Sequence, residues 1–252
     1  MKKTLVRSLA MAFAGSLLLA GSALALPLNP YNTRPVTVNV VNNGEPSLQT
    51  ELNKQFGNGV VNANTDQLGA GMFQISTQGS STIDPQLKFE WAGNAPTQTV
   101  GMFGWDGSNP VTAQLFSGSA APGWSSTVKW TTPTSGKITA FDDQANLIGQ
   151  TSFSGISRNF FGFYFSPYGN SNLNYYSVDS LNSNDEARVL GYEPTLAGAM
   201  FAYEDGTDFD YQDAGFFVES IKPVPEPATM LLLGSGLAGL AGVSRRRKAK
   251  KA

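Results

Sequence analysis

The stretch Phe160-Phe161-Gly162-Phe163-Tyr164-Phe165 decides the fold, because aromatic side chains occupy five of its six positions. Successive side chains of a β-strand point to opposite faces, so Phe161, Phe163 and Phe165 would share one face. Phe160 and Tyr164 would lie on the other face. A strand that is apolar on both faces has to be covered on both sides. The stretch therefore predicts a central strand in a layered β-structure.

Other segments of the chain also have the pattern of strands. Apolar residues recur at every second position or form short runs, as expected for half-buried strands. These segments are Val36-Thr37-Val38-Asn39-Val40, Leu87-Lys88-Phe89-Glu90-Trp91, Phe201-Ala202-Tyr203 and Phe216-Phe217-Val218 with Ile221. Turn-forming pairs such as Asp106-Gly107 and Pro122-Gly123 separate them. Residues 26–222 are predicted to form an all-β domain, an antiparallel β-sandwich of the jelly-roll type.

One helix is predicted near the start of this domain. Ser47 is a good N-cap residue, and Leu48, Leu52 and Phe56 follow at spacings of four residues. This spacing places the three apolar side chains on one helix face. Gly57 is suited to end the helix.

The charge of the chain is unevenly distributed. The net charge is −2, but residues 26–222 contain 18 acidic and 8 basic residues. An acidic body disfavours nucleic acid as a partner, because phosphate contacts need clustered Lys and Arg. The chain contains neither Cys nor His, which excludes disulfides, Cys/His zinc sites and catalytic triads that contain histidine.

The first 25 residues are predicted to be a secretory signal peptide. A positively charged start is followed by an apolar run over residues 8–19 and then by Ala23-Leu24-Ala25, a cleavage signature of small residues at alternate positions. Cleavage by signal peptidase is expected after Ala25. The alternative is an uncleaved membrane anchor, but the apolar run is short for that role.

The last 30 residues, 223–252, have three parts in order: Pro225-Glu226-Pro227, an apolar run over residues 228–243, and a basic cluster over residues 245–251. A helix of the apolar run would be about 24 Å long, slightly shorter than a hydrocarbon core of about 30 Å. Bilayer thinning and snorkelling of the basic side chains can accommodate the difference. The basic cluster should stay cytoplasmic, which places the acidic body across the membrane.

This tail resembles the PEP-CTERM sorting signal of Gram-negative bacteria that make exopolysaccharide. The resemblance rests on Pro225, Glu226 and Pro227, the Gly/Leu-rich span, and Arg245, Arg246 and Arg247. It implies recognition by an exosortase, a transpeptidase-like membrane enzyme, and removal of the tail near the motif. It further implies an inner-membrane-anchored intermediate with its body in the periplasm, and later a place at the cell surface or in the extracellular matrix. An ordinary single-span anchor is the alternative.

A second segment suggests a metal site. Residues 203–213 contain five carboxylates between two apolar segments, and these are Glu204, Asp205, Asp208, Asp210 and Asp213. Such charges repel one another at close range unless a cation neutralises them. Ca²⁺ takes six to eight hard oxygen ligands. The segment is a candidate calcium site, and the alternative is a solvated acidic turn whose aromatic residues belong to the core.

The acidic segment is similar to the ED-x-x-D-x-D-Y-x-D ending of an uncharacterised domain of bacterial surface proteins. The resemblance extends over roughly residues 160–221, including Phe161–Phe165, 175–182 and 187–192. That family often has Asn where Gln212 stands here, so the resemblance implies no ligand role for this position.

Three functions remain open at this point. The first is a non-enzymatic surface or matrix protein of the exopolysaccharide layer, in which Trp105 or Trp124 could stack on sugar rings. The second is a polysaccharide-acting glycosidase, with Glu90 and Glu219 as the catalytic carboxylates. The third is a calcium-dependent adhesin that associates with copies of itself. No catalytic motif is present, which favours the first.

Overall fold

The computed structural model describes residues 28–41, 44–77, 79–91, 95–168, 173–195 and 198–225. Within these ranges, Asn29–Val224 form one compact unit. The predicted signal peptide, the apolar run 228–243 and the basic cluster 245–251 lie outside the described residues. In the part that the structure does describe, no helix is both long and apolar enough to cross a membrane.

The described residues form fourteen strands, and every pairing between them is antiparallel. The strands are β1 (Phe73–Ile75), β2 (Thr82–Ile83), β3 (Pro85–Glu90), β4 (Thr99–Trp105), β5 (Pro110–Phe116), β6 (Ser125–Trp130), β7 (Ser135–Phe141), β8 (Leu147–Ser154), β9 (Gly162–Ser166), β10 (Tyr175–Tyr176), β11 (Val189–Thr195), β12 (Gly198–Tyr203), β13 (Ala214–Glu219) and β14 (Ile221–Pro223). The all-β, antiparallel prediction is confirmed.

The strands make one large sheet, one small sheet and a two-stranded ribbon. The large, eight-stranded sheet has the order β11-β12-β13-β3-β6-β7-β8, with β2 beside β6. The small sheet has the order β10-β9-β4-β5, and β1 pairs with β14. The chain passes between the large and small sheets after β3, β5, β8 and β10, so consecutive strands often lie in different layers.

An aromatic core holds the two sheets face to face. Phe163 of β9 lies 4.6 Å from Phe201 of β12 and 5.0 Å from Phe216 of β13, measured between ring centroids. Phe165 packs in the same way on Tyr203, at 5.0 Å. All five rings are buried, and burying each one stabilises the fold by roughly 1.5–3 kcal/mol. β9 lies between β10 and β4 with all five residues buried, as its two apolar faces predicted.

The single helix of the described residues covers the outer face of the large sheet. Helix α1 (Leu48–Phe56) begins at Ser47, whose side chain caps it, and ends at Gly57 with a φ of 98°. Glycine adopts this left-handed conformation without a steric penalty. Leu48 and Leu52 are buried against residues of β11 and β12. The predicted helix is confirmed, and it explains why β12 is buried on both faces.

The strand predicted over residues 36–40 is wrong, because this segment pairs with no neighbouring strand. Two of its backbone N–H groups donate to side chains instead, and Asn39 N–H donates to the Phe209 carbonyl at 2.9 Å. Val36 N–H donates to Gln67 Oε1 and Val38 N–H to Asn64 Oδ1, both at 2.8 Å. Val38 is buried in the layer beneath α1, whereas Val40 is 79% exposed. Side-chain amides here satisfy the backbone groups that a strand would pair.

The strand predicted over residues 87–91 is confirmed up to Glu90, with Leu87 and Phe89 buried and Lys88 and Glu90 half-buried, but the two buried side chains do not lie on one face. Leu87 lies between the sheets and Phe89 lies in the cluster beneath α1, although they are two residues apart. A β-bulge causes this, because the register of β3 against β13 shifts between Gly215 and Phe216. Gly215 leaves room for the Phe89 ring, which would lie 2.2 Å from a Cβ at that position. Trp91 follows the end of β3 and is 41% exposed.

Candidate functional site

The five predicted carboxylates lie on the loop that joins β12 to β13, residues 204–213, here called the acidic loop. Its ends are adjacent, since Tyr203 pairs with Ala214 in the large sheet. Both of these residues are buried. The acidic loop therefore folds back on itself over ten residues and is anchored in the core at both ends.

Glu204 is the centre of the acidic loop. Its side chain is fully buried. One carboxylate oxygen, Oε1, accepts a hydrogen bond from Gly206 N–H at 2.8 Å, and Oε2 accepts one from Tyr211 N–H at 3.3 Å. Because both oxygens are held by the backbone of the loop, the carboxylate has a fixed position around which the other acidic side chains gather.

The other four carboxylates converge on Glu204 in two groups. Glu204, Asp208 and Asp210 form one group, and Glu204, Asp205 and Asp213 form the other. Within each group, one oxygen per residue lies within 4.8 Å of the others. Two oxygens bound to the same Ca²⁺ at about 2.3–2.6 Å can be at most about 5 Å apart. The spacing in both groups is thus compatible with a shared calcium ion.

Burial has shifted the acidity of these groups. The pKa of Glu204 is raised to about 7. Burial is the main cause, and the nearby charges of Asp208 and Asp210 add to it, whereas the two backbone hydrogen bonds act in the opposite direction. Burial likewise raises the pKa of Asp213 to about 8, with added repulsion from Asp205 and Glu204. The pKa of Asp210 is raised for the same reason. The carboxyl groups of Glu204 and Asp213 are therefore partly protonated near neutral pH.

Four carboxylates of the acidic loop lack an ion pair with a basic side chain among the described residues. These are Glu204, Asp208, Asp210 and Asp213. The nearby guanidinium of Arg188 pairs with Glu186 instead, at 2.5 Å. The raised pKa values of Glu204 and Asp213 agree with this shortage of nearby positive charge.

Surrounding residues impose the shape of the acidic loop. Phe209 and Tyr211 both have a φ of 56°, a left-handed conformation that is costly for such side chains, roughly 1–3 kcal/mol each. The Tyr211 hydroxyl donates to the Ala187 carbonyl at 2.8 Å. The Arg188 guanidinium lies 5.1 Å from the Phe209 ring and donates to the Gly206 carbonyl. These contacts hold the carboxylates together against their repulsion.

Gln98 and Glu45 are far away in sequence but also reach side chains of the acidic loop, and the sequence analysis missed both. Gln98, directly before β4, donates from Nε2 to Asp205 Oδ2 at 3.0 Å. Glu45, before α1, accepts from Gln212 Nε2 at 2.8 Å, and its charge helps to raise the pKa of Asp210. No local motif marks either residue, because each comes from a different layer of the fold.

Gln98 is the more informative of the two. Its side chain is buried, with 1% exposed. Among the described residues, its carbonyl oxygen Oε1 is buried without a hydrogen-bond partner. A buried acceptor without a donor costs about 1–3 kcal/mol. The same amide donates to Asp205. The unused oxygen acceptor of Gln98 is therefore part of a group that already contacts the acidic loop.

The structure does not bring the two glutamates of the glycosidase hypothesis together. Glu90 pairs opposite Ala214 at the start of β13, and Glu219 is five residues further, at the other end of that strand. At about 3.4 Å per residue they are about 17 Å apart, whereas glycosidase carboxyl pairs are separated by roughly 5–9.5 Å. Burial raises the pKa of Glu90 to about 7, but Glu219 is too far away to be its catalytic partner.

The two tryptophans proposed as sugar-stacking residues have different environments. Trp105 ends β4, and its indole Nε1 is buried without a hydrogen-bond partner among the described residues. Trp124 packs against the core and lines an open groove of about 360 Å³ beside β5 and β8. Of the two, Trp124 has the environment that stacking on a ligand requires.

The end of the compact unit leads directly into the C-terminal tail. Val224 N–H donates to the Met72 carbonyl at 3.0 Å, and its own carbonyl accepts from the Tyr31 hydroxyl at 2.7 Å. Residues 223–248 match the family model of the PEP-CTERM protein-sorting motif. The chain carries a PEP-CTERM sorting motif. This confirms the resemblance seen in Pro225, Glu226 and Pro227 and in Arg245–Arg247.

The PEP-CTERM motif indicates an exported, exosortase-sorted surface protein that is anchored in a membrane before sorting. The matched region starts at Pro223, the last residue of β14. The motif thus begins inside the fold, since Pro223 belongs to β14 and Val224 is held by two hydrogen bonds.

Comparison with other proteins adds little beyond this motif. No curated protein sequence matches the chain. One similar solved structure is the crystal structure of Scytalido-glutamic peptidase with a peptide based transition state analog, at 11% identity. The match covers 60% of this PEP-CTERM chain and 96% of that chain, with a TM-score of 0.25. A TM-score this low carries no argument about activity.

Proposed function

We propose that the protein is a non-catalytic component of the extracellular polysaccharide layer whose β-sandwich is stabilised by calcium at the acidic loop. The observation that carries the proposal is the convergence of Asp205, Asp208, Asp210 and Asp213 on the buried carboxylate of Glu204. Export through the PEP-CTERM signal takes the protein to an environment where a calcium site can be filled.

The ligand chemistry favours calcium. All donors at the loop are oxygens, and Ca²⁺ accepts six to eight oxygens in irregular arrangements. Mg²⁺ is smaller, requires near-octahedral geometry and dehydrates reluctantly. Carboxylates on a curved loop, with Glu204 shared between two groups, suit the larger and more tolerant ion.

Gln98 supports the same assignment from outside the loop. Rotation of its amide by 180° would turn Oε1 towards Asp205. The negative charge of Asp205 disfavours this orientation, whereas a cation bound at Asp205 would favour it. Gln98 precedes a strand of the small sheet, whereas the acidic loop extends from the large sheet. A calcium ion bound by both would join the two layers and stabilise the whole sandwich.

A non-catalytic role is supported by the separation of Glu90 and Glu219 along β13. The groups with strongly shifted pKa values that do converge lie in the acidic loop, where both carboxylate oxygens of Glu204 are already held by backbone N–H groups. A carboxylate held in this way is suited to binding a cation at a fixed position.

The test is thermal unfolding of residues 26–224, which include the whole compact unit, with EDTA or with Ca²⁺. At a calcium concentration one hundred times Kd, binding contributes about 2.7 kcal/mol, so the melting temperature should rise by roughly 5–10 °C in a domain of this size. Mg²⁺ at the same concentration should give a smaller rise. An unchanged melting temperature at all calcium concentrations would refute the calcium proposal.

A single variant makes the test specific to the site. Asp208 is exposed, so Asp208→Asn should fold as well as the wild type and yet bind calcium at least about tenfold more weakly. Asp143→Asn, an exposed carboxylate on another loop, is the matched control and should retain the full calcium response. Equal responses of the two variants would place the ion elsewhere.

A further inference from the structure

A second pocket of the described residues has the opposite electrostatic character to the rest of the body. It has a volume of about 340 Å³ and lies beside the β1–β14 ribbon. Its lining includes the cationic residues Arg158 and Lys222 but no Asp or Glu. Residues 26–222 contain 8 basic residues against 18 acidic ones, so two basic residues around one pocket free of carboxylates are a distinctive feature.

Neither cation is neutralised by the surrounding structure. Among the described residues, Arg158 and Lys222 form no ion pair with a carboxylate. Lys222 on β14 stands opposite Gln74 on β1, so their side chains share the face of the ribbon that points away from Phe73 and Ile221. The backbone of Arg158 is fixed, since its carbonyl accepts from Ile75 N–H at 3.1 Å.

The remaining lining is uncharged and, apart from Ile75 and Gly79, polar. It consists largely of hydroxyl and amide side chains, among them Gln74, Ser76, Thr77 and Asn159. Hydroxyl and amide groups both donate and accept hydrogen bonds, as sugar hydroxyls do. A Lys ammonium and an Arg guanidinium are the usual partners of carboxylate, sulfate and phosphate groups. The pocket thus combines the recognition chemistry of an oxyanion with that of a sugar.

The size of the pocket separates two kinds of occupant. Pockets that bind small organic molecules have volumes of roughly 300–1,000 Å³, and this one lies at the lower end of that range. A bare inorganic anion would leave most of it unfilled. A single sugar unit with one charged group fits the volume, the hydroxyl and amide lining and the two cations together.

We propose that this pocket binds one acidic sugar unit, a hexose with a carboxylate, sulfate or phosphate group, as found in anionic polysaccharides. Arg158 and Lys222 would contact the oxyanion, and Gln74 and Asn159 the hydroxyl groups. The inference rests on the proposed place of the protein in the polysaccharide layer but is independent of the calcium site. It gives an otherwise anionic body a local means to hold an anionic polymer that its net charge would repel.

The experiment is an NMR titration of ¹⁵N-labelled residues 26–224 in EDTA, so that neither calcium binding nor chelation by the sugar contributes. Glucuronate and an oligouronate should shift the amide signals of residues 74–77, 158–159 and 222. Glucose at equal concentration should cause no shift, and inorganic phosphate should bind more weakly than glucuronate. Raising the salt concentration should weaken glucuronate binding, because charge attraction contributes to it.

The variant Arg158→Gln/Lys222→Gln should weaken glucuronate binding by at least about tenfold, since it removes both charged donors to the oxyanion. Lys129→Gln/Lys137→Gln is the matched control, because these two lysines are exposed and paired on β6 and β7. The control should bind like the wild type, and both variants should keep the calcium response, which separates this test from that of the calcium site.

Three results would overturn the proposal. One is the absence of shifts around residues 158 and 222 with any acidic sugar. Another is equal binding of glucuronate and inorganic phosphate, which would assign the pocket to a simple anion. The third is equal weakening by the variant and its control, which would show only a general effect of positive charge on the surface.

Discussion

Two acidic loops of the same large sheet show how differently carboxylates can be accommodated. The acidic loop joins the neighbouring strands β12 and β13, and the turn of residues 142–146 joins the neighbouring strands β7 and β8. In the turn, Asp142 accepts hydrogen bonds from the backbone of Gln144 and from the backbone and side chain of Asn146. In the acidic loop, the carboxylates face one another with few donors between them.

The pKa values of the carboxyl groups differ between the two loops in the direction that these contacts predict. Hydrogen bonds from Asn146, first from its side chain and then from its backbone, lower the pKa of Asp142. Burial and mutual repulsion raise the pKa of Glu204 and Asp213 to about 7 and about 8. Carboxylates near one another in sequence can therefore differ in acidity, because those of the acidic loop converge on the buried Glu204 whereas Asp142 is held by hydrogen bonds of its own turn.

The largest expected effect on the calcium response comes from removing one of the carboxylates that converge on Glu204. Asp213→Asn should abolish most of the calcium-induced rise in melting temperature, roughly 5–10 °C in the wild type. The substitution removes a charged oxygen but leaves an amide oxygen that can still accept from Asp205 N–H. Asp142→Asn, the same change in the other loop, should leave the calcium response intact. Differential scanning fluorimetry with and without Ca²⁺ measures both; a calcium response that depends on Asp142 would reverse the comparison.

A second expected effect is a decline of stability with rising pH that calcium removes. Because the pKa values of Glu204 and Asp213 are raised in the fold, the folded state holds protons that the unfolded chain releases above about pH 4. In EDTA, their contribution should therefore be complete below about pH 4 and lost as the pH rises through 7 to 8. With saturating Ca²⁺ the stability should be nearly independent of pH above about pH 5, because the calcium-bound fold and the unfolded chain are then both deprotonated at these groups.

Melting curves of the domain between pH 5 and pH 9 test this prediction. Asp213→Asn should flatten the decline that is seen in EDTA, since one of the two titrating groups is gone. An EDTA curve that rises from pH 5 to pH 9 in the wild type would mean that the carboxylates of the loop are not held in repulsion.

Glu90 is half-buried but does not converge with the carboxylates of the acidic loop, so a substitution there should change the stability less than one in that loop. Burial raises its pKa to about 7, but it belongs to neither carboxylate group of the acidic loop. Glu90→Gln should stabilise the domain at pH 9 by roughly 1 kcal/mol, about 2–4 °C, and should have little effect at pH 4, where the carboxyl is already neutral. Its calcium response should equal that of the wild type. Loss of this response would extend the site to β3.

The smallest effect is expected at the turn. Asp142→Ala removes the acceptor of three hydrogen bonds and should lower the melting temperature slightly at pH 7. Because the pKa of Asp142 is lowered in the fold, its stabilising effect is present above the unfolded pKa and is lost as the pH falls through the folded pKa. The difference between variant and wild type should shrink accordingly in melting curves recorded towards pH 3.

Much of the fold followed from local patterns in the sequence. The aromatic stretch at 160–165 predicted a central strand, because no other local structure buries both of its faces. Ser47 and Gly57 marked the two ends of α1, because capping depends on nearby residues. The strand predicted over 36–40 was wrong because its backbone partners, Gln67 and Asn64, are side chains that no periodicity reveals.

The candidate site was predictable only in part. The five carboxylates of the acidic loop are close together in sequence, so their proximity could be read directly. Gln98 and Glu45 reach the loop because the small sheet and the segment before α1 fold against it. The meeting of Arg158 with Lys222 depends in the same way on the pairing of β1 with β14. Contacts between layers leave no local signal.

The most direct test of the calcium assignment is isothermal titration calorimetry of residues 26–224 with Ca²⁺ at pH 7, in two buffers of different ionisation enthalpy. Glu204 and Asp213 are partly protonated at this pH, so calcium binding should release protons and the measured heat should differ between the buffers. Saturable binding with proton release that disappears in Asp213→Asn is the predicted result. Binding with no proton release, or no heat in either buffer, would contradict a calcium ion held by these carboxylates.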